Sequence, residues 1–193
     1  MSGQLTNALN EKFGHQYKLV YFGHGGCFIG NGDGSTICNA FREELSKFRD
    51  QDVYAVIRSQ RWARYGATTE ETTKVLILDA VKASNLHPKK IIIVGSTQDV
   101  NTECEFANYY IPFRRRDCGF NETSAEQNKL FIATSKKMNI PNNVFFVYPY
   151  ERLCVNNECT VIDGSTSYYS DGAHLSFDGS LFFITDISGA LFK

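Results

Sequence analysis

The sequence predicts an α/β fold with three layers, in which helices cover both faces of a parallel β-sheet. Segments rich in β-branched and aromatic residues alternate along the chain with segments of helical periodicity. One of the former, residues 90–95, has the continuous apolar core IIIVG, which is typical of a strand buried on both faces. The chain shows no internal repeat, low-complexity stretch or linker, so residues 1–193 are expected to form a single domain.

Composition and charge narrow the class of protein. Hydrophobic residues make up 42% of the chain and charged residues 21%, which is too apolar for an intrinsically disordered protein. The 20 Lys and Arg residues nearly balance the 21 Asp and Glu residues, and a net charge of −1 argues against a dedicated nucleic-acid-binding protein. No apolar run approaches the ~20 residues of a membrane span, and no secretory signal peptide opens the chain.

The first part of the chain is predicted to begin with a helix over residues 4–13, whose apolar side chains fall on one face. A short β-rich run follows at residues 17–22, and a glycine-rich loop covers residues 23–34. Residues 36–49 have helical character, and residues 52–58 are predicted to form the next strand. This alternation is the pattern that a parallel sheet requires.

The middle of the chain continues the alternation. Thr68 and Glu71 have the spacing of a capping box, which predicts a helix that runs to about residue 83. The buried strand at residues 90–95 comes next. It is followed by a loop over residues 96–123 that is longer than most connections, and we expect this loop to be functional or held by a disulfide.

The last part of the chain is predicted to contain two more helices and one strand. Ser124 and Gln127 form a second capping box, which opens a helix to about residue 138. Residues 144–148 are predicted to form a strand, and Ser176 is expected to cap the final helix.

The six cysteines are the main anomaly in the composition. None belongs to a Cys-x-x-Cys pair, so the usual zinc spacing is absent. They fall into three sequential couples, each within one predicted loop region, and an even number in local couples suits an oxidising compartment. The alternative is six free thiols in a cytosolic protein. We expect three local disulfides outside the sheet, each with Cα atoms within about 7 Å: Cys27–Cys38, Cys104–Cys118 and Cys154–Cys159.

Asp171 and His174 are the strongest candidates for catalytic residues. They lie three residues apart in a turn just before the last helix, a spacing that can direct both side chains into one cleft. The carboxylate would then fix the tautomer of the imidazole, and the ring would act as general base toward a hydroxyl nucleophile. The alternative is an unrelated Asp and His in an exposed turn. The position at the end of an α/β chain favours the catalytic interpretation.

The segment YYSDGAHLSFDGS, residues 168–180, resembles the final block of SGNH hydrolases, which have a flavodoxin-like α/β/α fold. It is most similar to the SGNH domains fused behind membrane acyltransferases that O-acylate bacterial cell-surface glycans. Three shorter matches extend the resemblance over nearly the whole chain: Cys27 at the end of a strand and loop, Arg61-Trp62 after the next strand, and Cys154 with Cys159 in a small C-terminal loop.

The resemblance implies acyl transfer, or ester hydrolysis, at sugar hydroxyls. His174 would be the base and Asp171 would orient it. An upstream membrane acyltransferase domain would deliver the acyl group, and a glycan would be the acceptor. The domain would face the periplasm, tethered to the membrane in the parent protein. No metal and no organic cofactor is implied.

The sequence departs from the family at the nucleophile, because it contains no Gly-Asp-Ser at the end of a strand. Its start, MSGQLTNALNEKF, resembles the helix that follows that motif, and Ser2 lies at the wrong distance to act. We therefore expect a chain truncated just after the nucleophile, inactive alone, and lacking its first, central strand. Residues 17–22 and 52–58 would flank the gap.

The alternative is a non-catalytic glycan-binding module with a degenerate SGNH fold. An in-frame Gly-Asp-Ser in the DNA upstream would favour the first interpretation, a truncated enzyme.

The remaining site residues are implied by position within the family. A backbone N–H of Gly25 or Gly26 would contribute to the oxyanion hole, although a simple flexible turn is an equal alternative. The family's Asn is absent here, so Gln60 is expected to donate instead. Arg61 and Trp62 are expected to line the substrate site, with a core role as the alternative for the indole. Ser96, which follows a strand, is the next candidate nucleophile.

Overall fold

A parallel sheet forms the centre of the structure, a computed structural model that describes residues 2–20, 36–48, 52–82, 88–100, 121–155, 158–163 and 166–192. Within these residues the sheet has the order β1 (Ala55–Ser59), β2 (Lys90–Val94) and β3 (Val144–Val147). Ile57 pairs with Ile92, which in turn pairs with Phe145. The predicted α/β class with a parallel sheet is confirmed.

Helices pack on both faces of this sheet. The helices of the described residues are α1 (Ser2–Phe13), α2 (Thr36–Ser46), α3 (Glu70–Lys82), α4 (Glu122–Lys137), α5 (Pro149–Leu153), α6 (Phe177–Phe182) and α7 (Ile184–Leu191), with a 3₁₀ helix at Trp62–Tyr65. Because side chains alternate along a strand, Ile92 and Val94 of β2 pack against α1 and α7, whereas Ile91 and Ile93 pack against α3 and α4. No helix in the described ranges is long and apolar enough to cross a bilayer.

Two small hairpins follow α5. Strands β4 (Cys154–Val155) and β5 (Glu158–Cys159) pair antiparallel, as do β6 (Ile162–Asp163) and β7 (Thr166–Ser167). Cys154 and Cys159 face each other across the first hairpin and form a disulfide with a Cα–Cα distance of 3.9 Å, as the sequence predicts. The predicted pairs Cys27–Cys38 and Cys104–Cys118 lie outside the described residues, including the side chain of Cys38.

The strand predicted at residues 17–22 is wrong for the part that the structure describes. Residues 17–20 are not in a strand, because α1 ends in a turn in which Tyr17 N–H donates to the Phe13 carbonyl (3.0 Å). The ring of Tyr17 then stacks on Tyr54, with centroids 5.3 Å apart. Tyr21, Phe22 and the glycine-rich loop after them lie outside the described residues.

The helix starts show how local hydrogen bonds decide a boundary. The predicted capping box at Ser124 is wrong by three residues, because Asn121 is the N-cap of α4 and its side chain accepts from Ser124 N–H (3.1 Å). Ser124 instead uses its hydroxyl to accept from Asp99 N–H (3.1 Å). Before α3, Thr69 rather than Thr68 accepts from a first-turn amide, that of Thr72 (3.2 Å).

Ser176 caps α6, as predicted: its Oγ accepts from Gly179 N–H (3.0 Å) and donates to the Ser167 carbonyl (2.6 Å). The final helix is not continuous, however. It is interrupted at Phe183, whose side chain is buried, and α7 continues from Ile184. The two short helices thereby place Phe183 in one core cluster and Ile184 in another.

Candidate active site

The Asp171 carboxylate organises the turn before α6. Its Oδ1 accepts hydrogen bonds from the backbone N–H groups of Ala173 (2.8 Å) and His174 (2.7 Å), so the side chain closes the turn on itself. Its Oδ2 lies 2.5 Å from Nδ1 of His174. Because an ionised carboxylate can only accept, Nδ1 carries the proton and Nε2 keeps its lone pair. The pair has the arrangement of an orienting acid and a general base.

Hydrogen bonds favour the ionised form of Asp171. Partial burial alone would raise its pKa, but hydrogen bonds from the Ala173 amide, the His174 imidazole and the His174 amide outweigh it and hold the pKa below its usual value. Both side chains are half exposed. The carboxylate is therefore charged at neutral pH, as an orienting group must be, and the imidazole is open to a reactant.

The turn is fixed to the carboxyl end of β2. Val100 N–H donates to the Gly172 carbonyl (2.8 Å), and the Thr97 hydroxyl donates to the Ala173 carbonyl (3.4 Å). Leu175 buries its side chain in the core beneath the turn. Because the carboxyl ends of parallel strands meet at one edge of the sheet, the residues that follow β1 lie at the same edge.

The residues that follow β1 are held to those that follow β2. Trp62 N–H donates to Ser96 Oγ (3.2 Å), and this hydroxyl donates to the Gln60 carbonyl (3.3 Å). Since the proton of Ser96 is held by a carbonyl, its geometry does not favour the nucleophile role. The side-chain Nε2 of Gln60 is buried and has no hydrogen-bond partner among the described residues, so it is a free donor at this edge.

Arg61 and Trp62 line a cavity of about 240 Å³ between the 3₁₀ helix and α4. The Arg61 guanidinium forms an ion pair with Asp99 (2.5 Å). The indole of Trp62 is only 1% exposed, stacks on Phe131 with centroids 5.0 Å apart, and donates to the Val94 carbonyl (2.9 Å), so it is mainly a core residue. Neither Asp171 nor His174 is among the residues that line this cavity.

Two predicted site residues, Gly25 and Gly26, lie outside the described residues. Conversely, Asp99 was not predicted from the sequence, although it pairs with Arg61 and lines the cavity. Its signal was its position, an acidic residue shortly after a buried parallel strand, where ligand sites of α/β folds lie. In the described ranges, no group of three or more His, Cys, Asp or Glu side chains could hold a metal ion.

Comparison with known proteins points to one family. The family model described as "SGNH domain (fused to AT3 domains)" matches residues 1–187. Among solved structures, the chain is similar to the periplasmic domain of a lipopolysaccharide acetyltransferase of Salmonella ser. Paratyphi A. That similarity has a TM-score of 0.69 and 18% sequence identity over 98% of this chain and 78% of that chain, and it supports the fold. No curated protein matches the sequence. Since the family model covers nearly all of the sequence, the chain belongs to the family of SGNH domains that are fused to AT3 domains.

Proposed function

We propose that this chain is the acyl-transfer or esterase domain of an SGNH-type enzyme that acts on O-acyl groups of cell-surface glycans. One observation carries the proposal: His174 Nδ1 lies 2.5 Å from an ionised Asp171 carboxylate, which leaves Nε2 free on a half-exposed ring. Membership of the SGNH family supports the same assignment, because the pair lies in the block YYSDGAHLSFDGS.

The proposed reaction needs a serine that the sequence does not supply in a Gly-Asp-Ser motif. The serine Oγ attacks the acyl carbonyl while His174 Nε2 takes its proton, and a tetrahedral oxyanion forms. The imidazolium then returns that proton to the departing oxygen, which leaves an acyl-serine. In the second half, a glycan hydroxyl gives its proton to His174 and takes the acyl group, and His174 returns the proton to the serine Oγ as the acyl-serine bond breaks. Water in place of the glycan gives hydrolysis. Asp171 keeps the ring in the required tautomer throughout.

The oxyanion would be stabilised by N–H donors at the same edge of the sheet. We assign this role to the backbone of Gly25 or Gly26 and to the side chain of Gln60. The assignment to Gln60 is supported by its buried Nε2, which has no hydrogen-bond partner in the described part of the chain. This donor would therefore have no existing hydrogen bond to give up before it binds the oxyanion. Arg61 and Trp62 would line the substrate region through the cavity beside it.

The proposed setting is the periplasmic face of a membrane, where an AT3 domain of the parent protein would deliver the acyl group. The family description, which names fusion to AT3 domains, supports this partner. The disulfide Cys154–Cys159 supports an oxidising compartment. The periplasmic origin of the similar Salmonella domain agrees with it. No metal or organic cofactor takes part in the proposed steps.

Turnover of a chromogenic acetyl ester tests the proposal. The chain as it stands should be inactive, and a chain extended at its N-terminus by a strand ending in Gly-Asp-Ser should be active. In the extended chain, His174→Ala should lower the rate by about 10²–10⁴-fold, the usual contribution of a general base. His15→Ala, at an exposed histidine in the turn after α1, is the matched control and should leave the rate unchanged. Turnover by the unextended chain would place the nucleophile within this sequence.

A non-catalytic glycan-binding module is the second candidate. It is favoured by a polar cavity that is not lined by the Asp171–His174 pair. An extended chain that binds glycan and gives no turnover would support this function over the first.

A further inference from the structure

We infer that the cavity between the 3₁₀ helix and α4 binds one pyranose ring of the glycan, beside the reacting centre. The cavity holds about 240 Å³, which is below the roughly 300–1,000 Å³ of pockets for drug-sized ligands and suits one compact ring. The inference rests on the proposed function for the choice of a glycan. Binding itself, however, requires no nucleophile and no acyl group.

The Arg61–Asp99 pair supplies the groups that recognise neighbouring hydroxyls. Oδ2 of Asp99 is held by Arg61 (2.5 Å), whereas Oδ1 has no side-chain partner among the described residues. The guanidinium likewise has N–H groups beyond the one that it uses. A hydroxyl can both donate and accept, so adjacent sugar hydroxyls can give a proton to Asp99 and accept one from Arg61. Opposite charges at one wall suit a polyol better than a simple anion.

The rest of the cavity matches a ring that is apolar on its face and polar at its edge. Trp62 and Phe131 stack at the base, and Gln127 contributes a half-buried amide at the side. Asn128 is fixed in place because its Nδ2 donates to the Thr97 carbonyl (3.2 Å). A wall that is ordered before the ligand arrives loses less entropy on binding.

The segment that follows β2 both lines the cavity and holds the Asp171–His174 turn in place. Thr97 lines the cavity, and its hydroxyl donates to the Ala173 carbonyl of the turn (3.4 Å). Asp99 lies between Thr97 and Val100, whose N–H bonds the Gly172 carbonyl (2.8 Å). Since the catalytic pair does not line the cavity, the ring held there is an anchoring sugar of the glycan and not the ring that receives the acyl group.

A site for a simple anion is the alternative that the test must address. Arg64 is exposed and lines the same cavity, so the three charged lining groups, Arg61, Arg64 and Asp99, sum to one positive charge. A site for a simple anion would use the two cations and would not need Gln127. Inorganic phosphate is therefore the probe that separates an anion site from a sugar site.

Trp62 makes binding measurable, because it is the only tryptophan in the sequence and lies at the cavity. Its fluorescence is titrated in the whole chain with methyl α-glycosides of glucose, galactose, mannose and glucuronic acid, and with inorganic phosphate. We expect a saturable change with at least one glycoside and none with phosphate. Gln127→Leu, which removes the amide and keeps the volume, should weaken that affinity about five- to tenfold, and Asp99→Asn at least as much.

Lys129→Ala, on the exposed side of the same helix, is the matched control and should leave the affinity unchanged. Circular dichroism verifies that each variant is folded. If Asp99→Asn is not folded, the affinity of Gln127→Leu alone decides the test. The inference is overturned if no glycoside gives a saturable change, if phosphate gives the same change, or if Lys129→Ala weakens binding as much as Gln127→Leu.

His174→Ala should leave binding intact, so glycoside binding without turnover in the extended chain defeats only the proposed chemistry. Turnover without glycoside binding defeats only this inference.

Discussion

Gly179 lies so close to the main chain of Tyr168 that a β-carbon at position 179 would be 2.0 Å from the Tyr168 carbonyl oxygen. The same carbonyl accepts from Ser176 N–H (3.0 Å), so the start of α6 is pressed against the chain that leads into the Asp171–His174 turn. Only a residue without a side chain permits this approach. Gly179, the second glycine in the block YYSDGAHLSFDGS, therefore has a structural role: it fixes the distance between the last helices and the Asp171–His174 turn.

Gly179→Ala should lower the free energy of unfolding by about 1–3 kcal/mol, because the contact is with backbone that cannot move aside without disturbing the turn. Urea denaturation measures the change. Gly189→Ala in α7 is the matched control: a β-carbon there meets nothing within 4 Å, and alanine should stabilise the helix by roughly 0.5–1 kcal/mol. Equal responses of the two variants would contradict the close contact.

Asp171 and His174 should differ in their effect on stability although they form one pair. Asp171→Ala removes the acceptor of two backbone N–H groups and should cost about 0.5–2 kcal/mol, as the loss of a helix cap does. His174→Ala removes a half-exposed ring and should change the free energy of unfolding by no more than ~0.5 kcal/mol. Thermal or urea unfolding of the two variants compares them. A larger loss for His174→Ala would mean that the imidazole, rather than the carboxylate, holds the turn.

The sequence predicted the layers of the fold well because its signals there are long and periodic. The run IIIVG is buried in β2, and helices flank it on both faces as the alternation of elements requires. Element boundaries depended on competition between neighbouring polar side chains, which the sequence leaves open. Asn121 and Ser124 can each cap a helix, and the choice follows from Asp99, whose amide engages the Ser124 hydroxyl from a distant part of the chain.

The candidate site was predictable where it is local in sequence. Asp171 and His174 are three residues apart, so one turn is enough to bring them together. The ion pair of Arg61 with Asp99 joins residues 38 apart and depends on the register of β1 against β2, which no local pattern specifies. For Trp62 the sequence left a substrate-lining role and a core role as alternatives. The structure buries its ring in the core, at the border of the cavity, and a role toward substrate stays a prediction.

The carboxyl group of Asp171 should titrate below the ordinary Asp value of about 3.9. The folded state holds this proton less tightly than the unfolded state does. The ionised group therefore contributes stability above the ordinary pKa, and this contribution is lost as the pH falls through the lower folded pKa. Carbon-detected NMR of the side-chain carboxyl measures the midpoint. In His174→Ala the midpoint should rise, because one of the hydrogen bonds to the carboxylate is lost; a midpoint at or above the ordinary value in the wild type would contradict this account.

Arg58 shows the opposite balance, because burial disfavours its charged form. The residue is 4% exposed on β1, and its Nε and Nη2 have no hydrogen-bond partner among the described residues. Burial lowers the pKa of the guanidinium to about 10, so the folded state holds its proton less tightly than the unfolded state and the cation costs stability at neutral pH.

Arg58→Met, which keeps the length and removes the charge, should raise the free energy of unfolding by about 1–4 kcal/mol. Arg64→Met, at an exposed position, is the control and should change it by no more than ~0.5 kcal/mol. If Arg58→Met instead destabilises the protein in urea denaturation, the guanidinium has a partner beyond the described residues, since breaking a buried pair is what makes such a loss large.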